Sequence, residues 1–445
     1  MDRFFALSPK CILVKGALRG AIYDLNSGNV FSVDETSVKV LEKLSSGESL
    51  FQILRDNSIS QEKLLAYLDS LMARGLGKWV SAHNKKEALI PPNPNMVLRY
   101  VLHLELTTGC NLRCLHCYNE SEITKLSDSD VPSFDNWAHA IKEGYQIGCR
   151  RVQFIGGEPF LKRELLYNLI LLACSTGYNS LEVSTNGTLI TKKDLIFLKA
   201  YNASLAFSFY SYKDRVHDLI TTKKGSWAKT LDSIRLALKM AIPLRVSVVK
   251  MNHNKEDVLE TIKFLKSAGV KNAKINNVEP VGRGCSNELI ASDILNQQII
   301  TKPFFPKINP DMFWRNRTGH NCFSEQICVG ANGDIYPCLA ERQISYGNIK
   351  LIPLVDILFS EKAMRFRGLS KNNIDVCQNC EYRYCCFDCR ARAWDFLDND
   401  FHPKPWWCSY DPHKGKWADK ETYLKGGENY GREERKRVGS YTSDK

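Results

Sequence analysis

Short apolar runs alternate with amphipathic segments through the middle of the chain. Apolar residues at every second position predict strands, and apolar residues at every third or fourth position predict helices. Strands are predicted at residues 100–107, 151–155, 180–184, 203–209, 244–249 and 273–278. Helices are predicted between them, at residues 134–146, 163–175, 192–199, 227–240 and 255–267. Six strands that alternate with helices predict an α/β fold built from parallel βα units.

Residues 1 to about 90 follow a different pattern, in which strands come first and helices follow. Strands are predicted at residues 11–16, 20–25 and 29–33, with a turn at 26–28 between the last two. Apolar residues at helical spacing then occupy 37–44, 50–54 and 64–76. We therefore expect a β-hairpin followed by three helices. Residues 82–96, rich in proline and lysine, are predicted to be a linker.

Composition and charge exclude several classes of protein. With 445 residues, of which 44% are hydrophobic and 25% charged, the chain should form two or three globular domains. No apolar run approaches the ~20 residues of a membrane span and Met1-Asp2-Arg3 begins no signal peptide, so we expect a cytoplasmic protein without a membrane partner. The net charge of +12 is moderate for this length, and residues 413–445, which include the basic residues Arg432, Arg435, Lys436 and Arg437, are predicted to be a charged tail. No basic patch is interleaved with aromatic residues, so no nucleic-acid partner is expected.

The sixteen cysteines are unevenly distributed. Disulfides are rare in a reducing compartment, and clustered cysteines there indicate metal binding. Three cysteines lie at residues 110–117 and nine at 322–408. The other four, Cys11, Cys149, Cys174 and Cys285, are predicted to be small core residues.

The first cysteine group is the C-x₃-C-x₂-C loop of Cys110, Cys114 and Cys117, which follows the predicted strand at 100–107. Three thiolates on so short a loop can bind three irons of a [4Fe–4S] cluster, which leaves the fourth iron open to a small molecule. A structural zinc site is the alternative, with His103 or His116 as the fourth ligand. The ring of His116 is poorly placed to bind the same metal as its neighbour Cys117, so a cluster is favoured.

This loop resembles the signature of the radical S-adenosylmethionine (SAM) enzymes, in which the amino and carboxylate groups of SAM bind the open iron. The family usually has an aromatic residue before the last cysteine, where this chain has His116, whose imidazole can still stack on the adenine. The resemblance implies a partial (β/α)₆ barrel of the TIM type, with catalytic groups, here Cys110, Cys114 and Cys117, at the carboxyl ends of the strands. It also implies a set of residues that contact SAM: His116, Tyr118, Gly156, Gly157, Glu158, Pro159, Ser184, Asn186 and Ser208.

Most of these residues follow successive predicted strands. The Gly-Gly-Glu-Pro sequence at 156–159 follows the second strand, where two glycines let the backbone approach a ligand with its N–H and C=O groups free. By resemblance it would bind the amino group of SAM. Ser184 and Asn186 end the third strand and could hold the ribose, and Ser208 ends the fourth. The glycine-rich segment 278–284 either presents its backbone to the adenine or is a plain exit loop.

The second cysteine group resembles the SPASM extension of peptide-modifying radical SAM enzymes. Its spacing suggests two more [4Fe–4S] clusters, with one cysteine to spare. The resemblance assigns Cys322, Cys328, Cys338 and Cys389 to the first and Cys377, Cys380, Cys386 and Cys408 to the second. Cys385 could replace Cys386, although the x₅ spacing from Cys380 favours Cys386. Zinc ribbons are the alternative for this region.

The resemblance also extends to the N-terminal region, which looks like the winged-helix peptide-recognition domain of peptide maturases. Such domains bind a leader peptide as an added strand on a sheet edge. A structural cap is the alternative. The resemblance thus implies a leader-recognition domain at 1–90, a radical SAM barrel at 97–300 and a SPASM domain at 315–412.

By resemblance, we expect an oxidoreductase that crosslinks side chains of a ribosomally made precursor peptide, by a thioether or carbon–carbon bond, through a 5′-deoxyadenosyl radical. The expected cofactors are SAM and three [4Fe–4S] clusters, and the expected partners are the precursor and a flavodoxin or ferredoxin that donates electrons. The alternatives are a peptide epimerase, an anaerobic sulfatase-maturating (formylglycine-forming) enzyme, a haem-pathway radical SAM enzyme and a non-catalytic zinc-bound interaction protein.

Overall fold

The computed structural model describes residues 3–55, 59–81, 100–122, 130–286, 288–290, 296–393 and 402–426. These residues form two compact units. The first unit draws on residues 1–96, 299–321 and 368–426, and the second on residues 97–298 and 322–367. The predicted linker at 82–96 and most of the predicted tail lie outside the described residues.

The N-terminal part of the first unit contains the predicted hairpin and three helices. Strands β2 to β4 form an antiparallel sheet, and Asp34 caps the helix that follows by accepting a 2.7 Å hydrogen bond from the Ser37 N–H. An antiparallel pair of strands, β1 and β5, was not predicted; it joins Phe4 to Val80. The elements are β1 Phe4–Leu7, β2 Cys11–Lys15, β3 Gly20–Asp24, β4 Asn29–Val33, α1 Glu35–Ser45, α2 Leu50–Arg55, α3 Gln61–Ala73 and β5 Gly77–Val80.

Strand β3 is buried on both faces because its alternate side chains enter different cores. Ile22 packs with Leu41 in the core formed by the three helices. Tyr23 packs in a second core with residues from later in the chain, and its ring lies edge-on to Phe313 with 5.2 Å between centroids. The N-terminal sheet therefore contributes to two cores within the first unit.

An eight-stranded sheet forms the centre of the second unit. Its strand order is β11-β10-β9-β8-β7-β6-β12-β13, and the first seven strands in this order are parallel. The six predicted strands are confirmed, whereas the addition of β12 beside β6 and of the antiparallel β13 was not predicted. The strands are β6 Val101–Glu105, β7 Arg151–Ile155, β8 Ser180–Thr185, β9 Ser204–Ser208, β10 Leu244–Lys250, β11 Ala273–Asn277, β12 Gln326–Val329 and β13 Ile335–Tyr336.

Helices connect successive strands of this sheet, as the hydrophobic pattern predicts. Two of these helices begin with a capping box, one formed by Ser133 and Asn136 and the other by Thr191 and Asp194. One short helix, α7, was not predicted. The helices are α4 Phe134–Gln146, α5 Arg163–Thr176, α6 Lys192–Ala200, α7 Asp214–Thr221, α8 Ser226–Lys239 and α9 Val258–Ser267. The predicted α/β fold with parallel strands is confirmed.

The remaining elements are short. They are α10 Pro310–Thr318, α11 Leu354–Leu358, α12 Glu361–Arg367, α13 Arg390–Ala393, β14 Tyr410–Asp411, β15 Lys416–Trp417 and α14 Lys420–Gly426. Loops and single 3₁₀ turns make up much of the cysteine-rich region, so its thiols are positioned by side-chain contacts more than by regular structure. Among the described residues, no helix has the length and apolar character needed to span a membrane.

Candidate active site

The loop of Cys110, Cys114 and Cys117 begins just after the carboxyl end of β6. Burial, together with the neighbouring Cys117 thiol, raises the pKa of Cys110 to about 11 and that of Cys114 to about 12. The three thiols are therefore close enough to repel one another as thiolates. A cationic iron–sulfur core would relieve this repulsion, so the donor set fits a cluster held by three cysteines.

The Gly-Gly-Glu-Pro turn holds the cysteine loop by backbone contacts. The Gly157 N–H donates to the Thr107 carbonyl at 2.7 Å, and the Glu158 N–H donates to the Gly109 carbonyl at 2.9 Å. A Cβ on Gly157 would lie 2.1 Å from the Gly109 carbonyl oxygen, so only glycine fits this contact. The expectation that the N–H groups of this turn are free was wrong for these two residues, because they bind the cysteine loop.

The Glu158 carboxylate connects this turn to the end of β8. It is fully buried and accepts hydrogen bonds from the Thr185 hydroxyl at 2.8 Å and the Asn186 N–H at 2.9 Å. Burial raises the pKa of Glu158 to about 7. The Asn186 side chain in turn donates to Asn111 at 2.9 Å and lies 3.7 Å from the Cys110 sulfur. Three predicted motifs, at 107–119, 156–159 and 184–187, are thus brought together.

The other predicted SAM contacts lie around the same loop. Pro159 begins a 3₁₀ turn, and the Ser184 hydroxyl accepts a 2.8 Å hydrogen bond from Gln153. The His116 ring packs edge-on against Tyr210 with 4.8 Å between centroids, and the Tyr210 side chain lies near Ser208 and the Cys114 thiol. Burial lowers the pKa of His116 to about 4, so its imidazole is neutral. The sequence analysis missed Tyr210, although it directly follows the fourth predicted strand.

The glycine-rich segment 278–284 packs directly on the cysteine loop. Arg283 donates through Nε to the Cys114 carbonyl and through a terminal nitrogen to the Ser121 carbonyl, each at 2.9 Å. A Cβ on Gly282 would lie 2.5 Å from the Tyr118 carbonyl oxygen. This segment, which follows β11, therefore packs against the cysteine loop and holds it by hydrogen bonds. Its contact with adenine stays a prediction.

A partly buried ion pair that the sequence analysis missed links the end of β6, which leads into the cysteine loop, to the segment that follows β13. Arg342 pairs with both carboxylate oxygens of Glu105 at the end of β6, and the Tyr118 hydroxyl donates to the same carboxylate at 3.0 Å. The guanidinium lies 4.8 Å from the centre of the Tyr336 ring. Burial raises the pKa of the Cys328 thiol, and the Arg342 guanidinium opposes that rise.

The second cysteine group is divided between the two units. Cys328 lies in β12, and Cys338 follows the end of β13 after one residue. Cys322 precedes β12, and its sulfur accepts a 3.2 Å hydrogen bond from Gln326. These three cysteines belong to the second unit, and Cys389 belongs to the first.

Four other cysteines of the first unit lie near one another, and they are the four predicted together. Burial raises the pKa of each of them, and the pKa of each is raised further by at least one of the other three thiols; they are Cys377, Cys380, Cys386 and Cys408. Cys385 has different neighbours: its thiol donates to the Tyr382 carbonyl at 3.3 Å and lies 3.5 Å from the Tyr23 hydroxyl. The geometry therefore favours Cys386 over Cys385 as a ligand.

The described residues include no group of three His, Cys, Asp or Glu side chains placed to bind one metal ion in common. A cubane cluster does not need such a group, because each thiolate binds a different iron.

Two families match this chain. Residues 104–265 match the Radical SAM superfamily, and residues 322–381 match the SPASM iron–sulfur cluster-binding domain. The first match contains the cysteine loop, and the second contains the first part of the second cysteine group.

Among characterised relatives, the chain is similar to the antilisterial bacteriocin subtilosin biosynthesis protein AlbA of Bacillus subtilis, with 29% identity over 59% of this chain and 62% of AlbA. The match thus spans less than two thirds of AlbA. The AdoMet-dependent heme synthase of Methanosarcina barkeri is 25% identical over 70% of this chain and 96% of that protein.

Among solved structures, Streptococcus suis SuiB bound to its precursor peptide SuiA superposes with a TM-score of 0.53. The identity is 14%, over 90% of this chain and 99% of SuiB, so this likeness supports the fold alone. The two domains that match, together with the three clustered thiols at the end of β6, support a radical SAM enzyme with a SPASM iron–sulfur extension.

Proposed function

We propose that this enzyme is a maturase that crosslinks side chains of a ribosomally made precursor peptide. The observation that carries the proposal is that the chain combines a radical SAM core and a cysteine-rich extension with an N-terminal sheet. In the described part of the chain, no strand pairs with the outer side of β4, an edge strand of this sheet. The similarity to AlbA, a protein of bacteriocin biosynthesis, supports a peptide substrate.

Three sets of cysteines would hold three [4Fe–4S] clusters, with Cys386 rather than Cys385 as the ligand. SAM would lie against the cysteine loop, the Gly-Gly-Glu-Pro turn and the residues at the ends of β8 and β9. When bound, SAM and the cluster of Cys110, Cys114 and Cys117 supply hydrogen-atom abstraction from an unactivated C–H bond. A flavodoxin or ferredoxin would supply the electron for each turnover.

The residues of the chain itself position this chemistry. Glu158, Arg283 and the Glu105–Arg342 ion pair position the cysteine loop and the residues that flank it through hydrogen bonds. A loop held in this way limits the positions that a bound substrate can take relative to the reacting atoms, which is the contribution of the protein to selectivity.

Strand β4 is the edge that we propose for the leader peptide. The other edge strand, β2, is covered, because the Ala17 N–H donates to the Asn379 carbonyl and Arg383 donates to the Lys15 carbonyl, each at 2.7 Å. The Gly16 N–H donates to the Arg19 carbonyl across the β2–β3 turn. Hydrogen-bonded and non-hydrogen-bonded residue pairs alternate along antiparallel strands, so this bond fixes which residues of β3 bond to β2 and which bond to β4. This alternation directs the backbone groups of Val30 in β4 away from β3 and toward an added strand.

A proline at Val30 tests this proposal, because it removes an outward N–H without removing a bond to β3. Synthetic peptides encoded by short reading frames beside the gene serve as candidate precursors. Val30→Pro should weaken binding of the precursor about tenfold or more, whereas Val30→Ala, which keeps the N–H, should bind normally. Unchanged binding by Val30→Pro would leave the N-terminal sheet with a structural role only.

Mass spectrometry of the product tests the reaction. A crosslink removes two hydrogens from the precursor, whereas epimerisation leaves the mass unchanged and introduces one solvent deuteron in heavy water. A product of unchanged mass with a deuteron at an α-carbon would overturn the crosslinking proposal.

Haem-pathway chemistry is a second candidate, because the similarity to the heme synthase spans nearly all of that protein. Incubation with tetrapyrrole substrates distinguishes the two candidates. Turnover of a tetrapyrrole and of no candidate peptide would favour the second.

A further inference from the structure

The first unit contains a buried group of three charged side chains. Asp388 lies at its centre, with the Arg390 guanidinium 2.7 Å from one carboxylate oxygen and the Lys371 ammonium 3.7 Å from the other. Lys371 is 5% exposed, Asp388 1% and Arg390 0%. We call these three residues the Asp388 cluster.

The Asp388 cluster carries at least one net positive charge, since two cations face a single carboxylate. A buried charge without a counter-charge is costly. Among the described residues, the Lys371 ammonium has no hydrogen-bond acceptor within bonding distance, although it carries three donors. The Asp388 cluster therefore requires a further negatively charged group beside Lys371.

The proposed four-cysteine site is placed to supply that negative group. Lys371, Cys386 and Asp388 line one crevice. The ammonium is also the cation that acts most strongly on the thiols of both Cys377 and Cys386. Local structure sets this position: Ser370 caps a 3₁₀ turn at Lys371–Asn373, and a second 3₁₀ turn begins at Cys377.

A [4Fe–4S] cluster with four thiolates is an anion, and it becomes more negative on reduction. A buried cation beside it stabilises the reduced form more than the oxidised form, and hydrogen bonds to its sulfurs act in the same direction. We propose that Lys371 raises the reduction potential of the cluster held by Cys377, Cys380, Cys386 and Cys408 and so makes that site the electron acceptor of the enzyme. This inference rests on the proposed function and deepens it.

The electron balance of crosslinking explains why such an acceptor is needed. Forming one new bond removes two hydrogens from the peptide. One leaves as a hydrogen atom and ends in 5′-deoxyadenosine, and the other leaves as a proton and an electron. One electron is supplied to cleave SAM at the start of a turnover, and one electron is released when the new bond forms. The proposed acceptor site would take the released electron. A site with a raised potential takes that electron readily.

The test is a potentiometric titration of the iron-loaded enzyme, followed by electron paramagnetic resonance, in variants of opposite sign. Lys371→Met removes a positive charge and should lower the potential of one cluster; Asp388→Asn removes a negative charge and should raise it. Each change should alter the equilibrium constant for reduction about tenfold or more, and tenfold corresponds to about 59 mV for one electron. The exposed lysine variant Lys420→Met, in the same unit, should match the wild type.

If Lys371→Met and Asp388→Asn both had the reduction potentials of the wild type, the inference would be overturned. If Lys371→Met fails to retain iron, Asp388→Asn decides: a raised potential supports the inference and an unchanged one overturns it. Because the titration contains no peptide, a shift would stand even if the enzyme proved not to crosslink. A four-cysteine site that binds no iron in the wild type would overturn the inference directly.

Discussion

The contact between Gly157 and the cysteine loop allows a sharp test, because its geometry sets the size of the perturbation. In Gly157→Ala, the added Cβ would lie 2.1 Å from the Gly109 carbonyl oxygen, and real Cβ contacts essentially never fall below 3.0 Å. The two backbones must therefore separate by about 0.9 Å, the difference between these distances. Both atoms belong to backbone, so no flexible side chain can absorb the shift.

The shift falls one residue before Cys110 and strains two hydrogen bonds, of 2.7 Å and 2.9 Å, between the turn and the loop. A misplacement on the order of 1 Å at a reacting centre can cost about 10²-fold in rate. We therefore expect SAM cleavage by Gly157→Ala to fall about a hundredfold, with part of the iron lost as well.

The assay is production of 5′-deoxyadenosine by the anaerobically reconstituted enzyme with dithionite as reductant. Gly225→Ala is the matched control, since its Cβ would meet no atom within 4 Å; it also carries the strain of a positive φ of 81°. If Gly157→Ala cleaved SAM at nearly the wild-type rate, the close backbone contact would not be required, and the reasoning would be refuted.

Three further predictions concern single sites. Replacing Cys110, Cys114 and Cys117 together with alanine should remove about a third of the iron and all production of 5′-deoxyadenosine, and retained production would contradict the assignment of these ligands. Burial raises the pKa of Glu158 from 4.5 to about 7, so the iron-free protein should lose stability as the pH rises through this range. Denaturation at several pH values should show that loss, up to about 3 kcal/mol, in the wild type but not in Glu158→Gln; parallel pH curves for the two would contradict it. Cys385→Ala should still crosslink, because this thiol bonds the Tyr382 carbonyl instead of joining the four clustered thiols; loss of crosslinking at full iron content would make Cys385 a reacting thiol.

The hydrophobic pattern alone predicts the repeating strands and helices of the second unit, and the motifs that follow those strands can be read directly from the chain. The spacing of apolar residues is a local property of the chain. Parallel βα units place the carboxyl end of every strand at the same edge of the sheet. For this reason the motifs at Cys110, Gly157 and Asn186 could be predicted to meet before any coordinates were known. The four cysteines from Cys377 to Cys408 could also be grouped, because their spacing resembles a known pattern.

Tertiary structure decided the contacts that join residues far apart in the chain. The pairing of β1 with β5 and of β12 with β6, and the ion pair of Glu105 with Arg342, depend on which surfaces meet after folding. Single charged residues such as Lys371 and Arg342 look like ordinary surface residues in a sequence, because nothing in their local pattern signals burial. Only packing showed that each lies beside a cysteine, since the cost of burying a charge is met by partners that local sequence does not reveal.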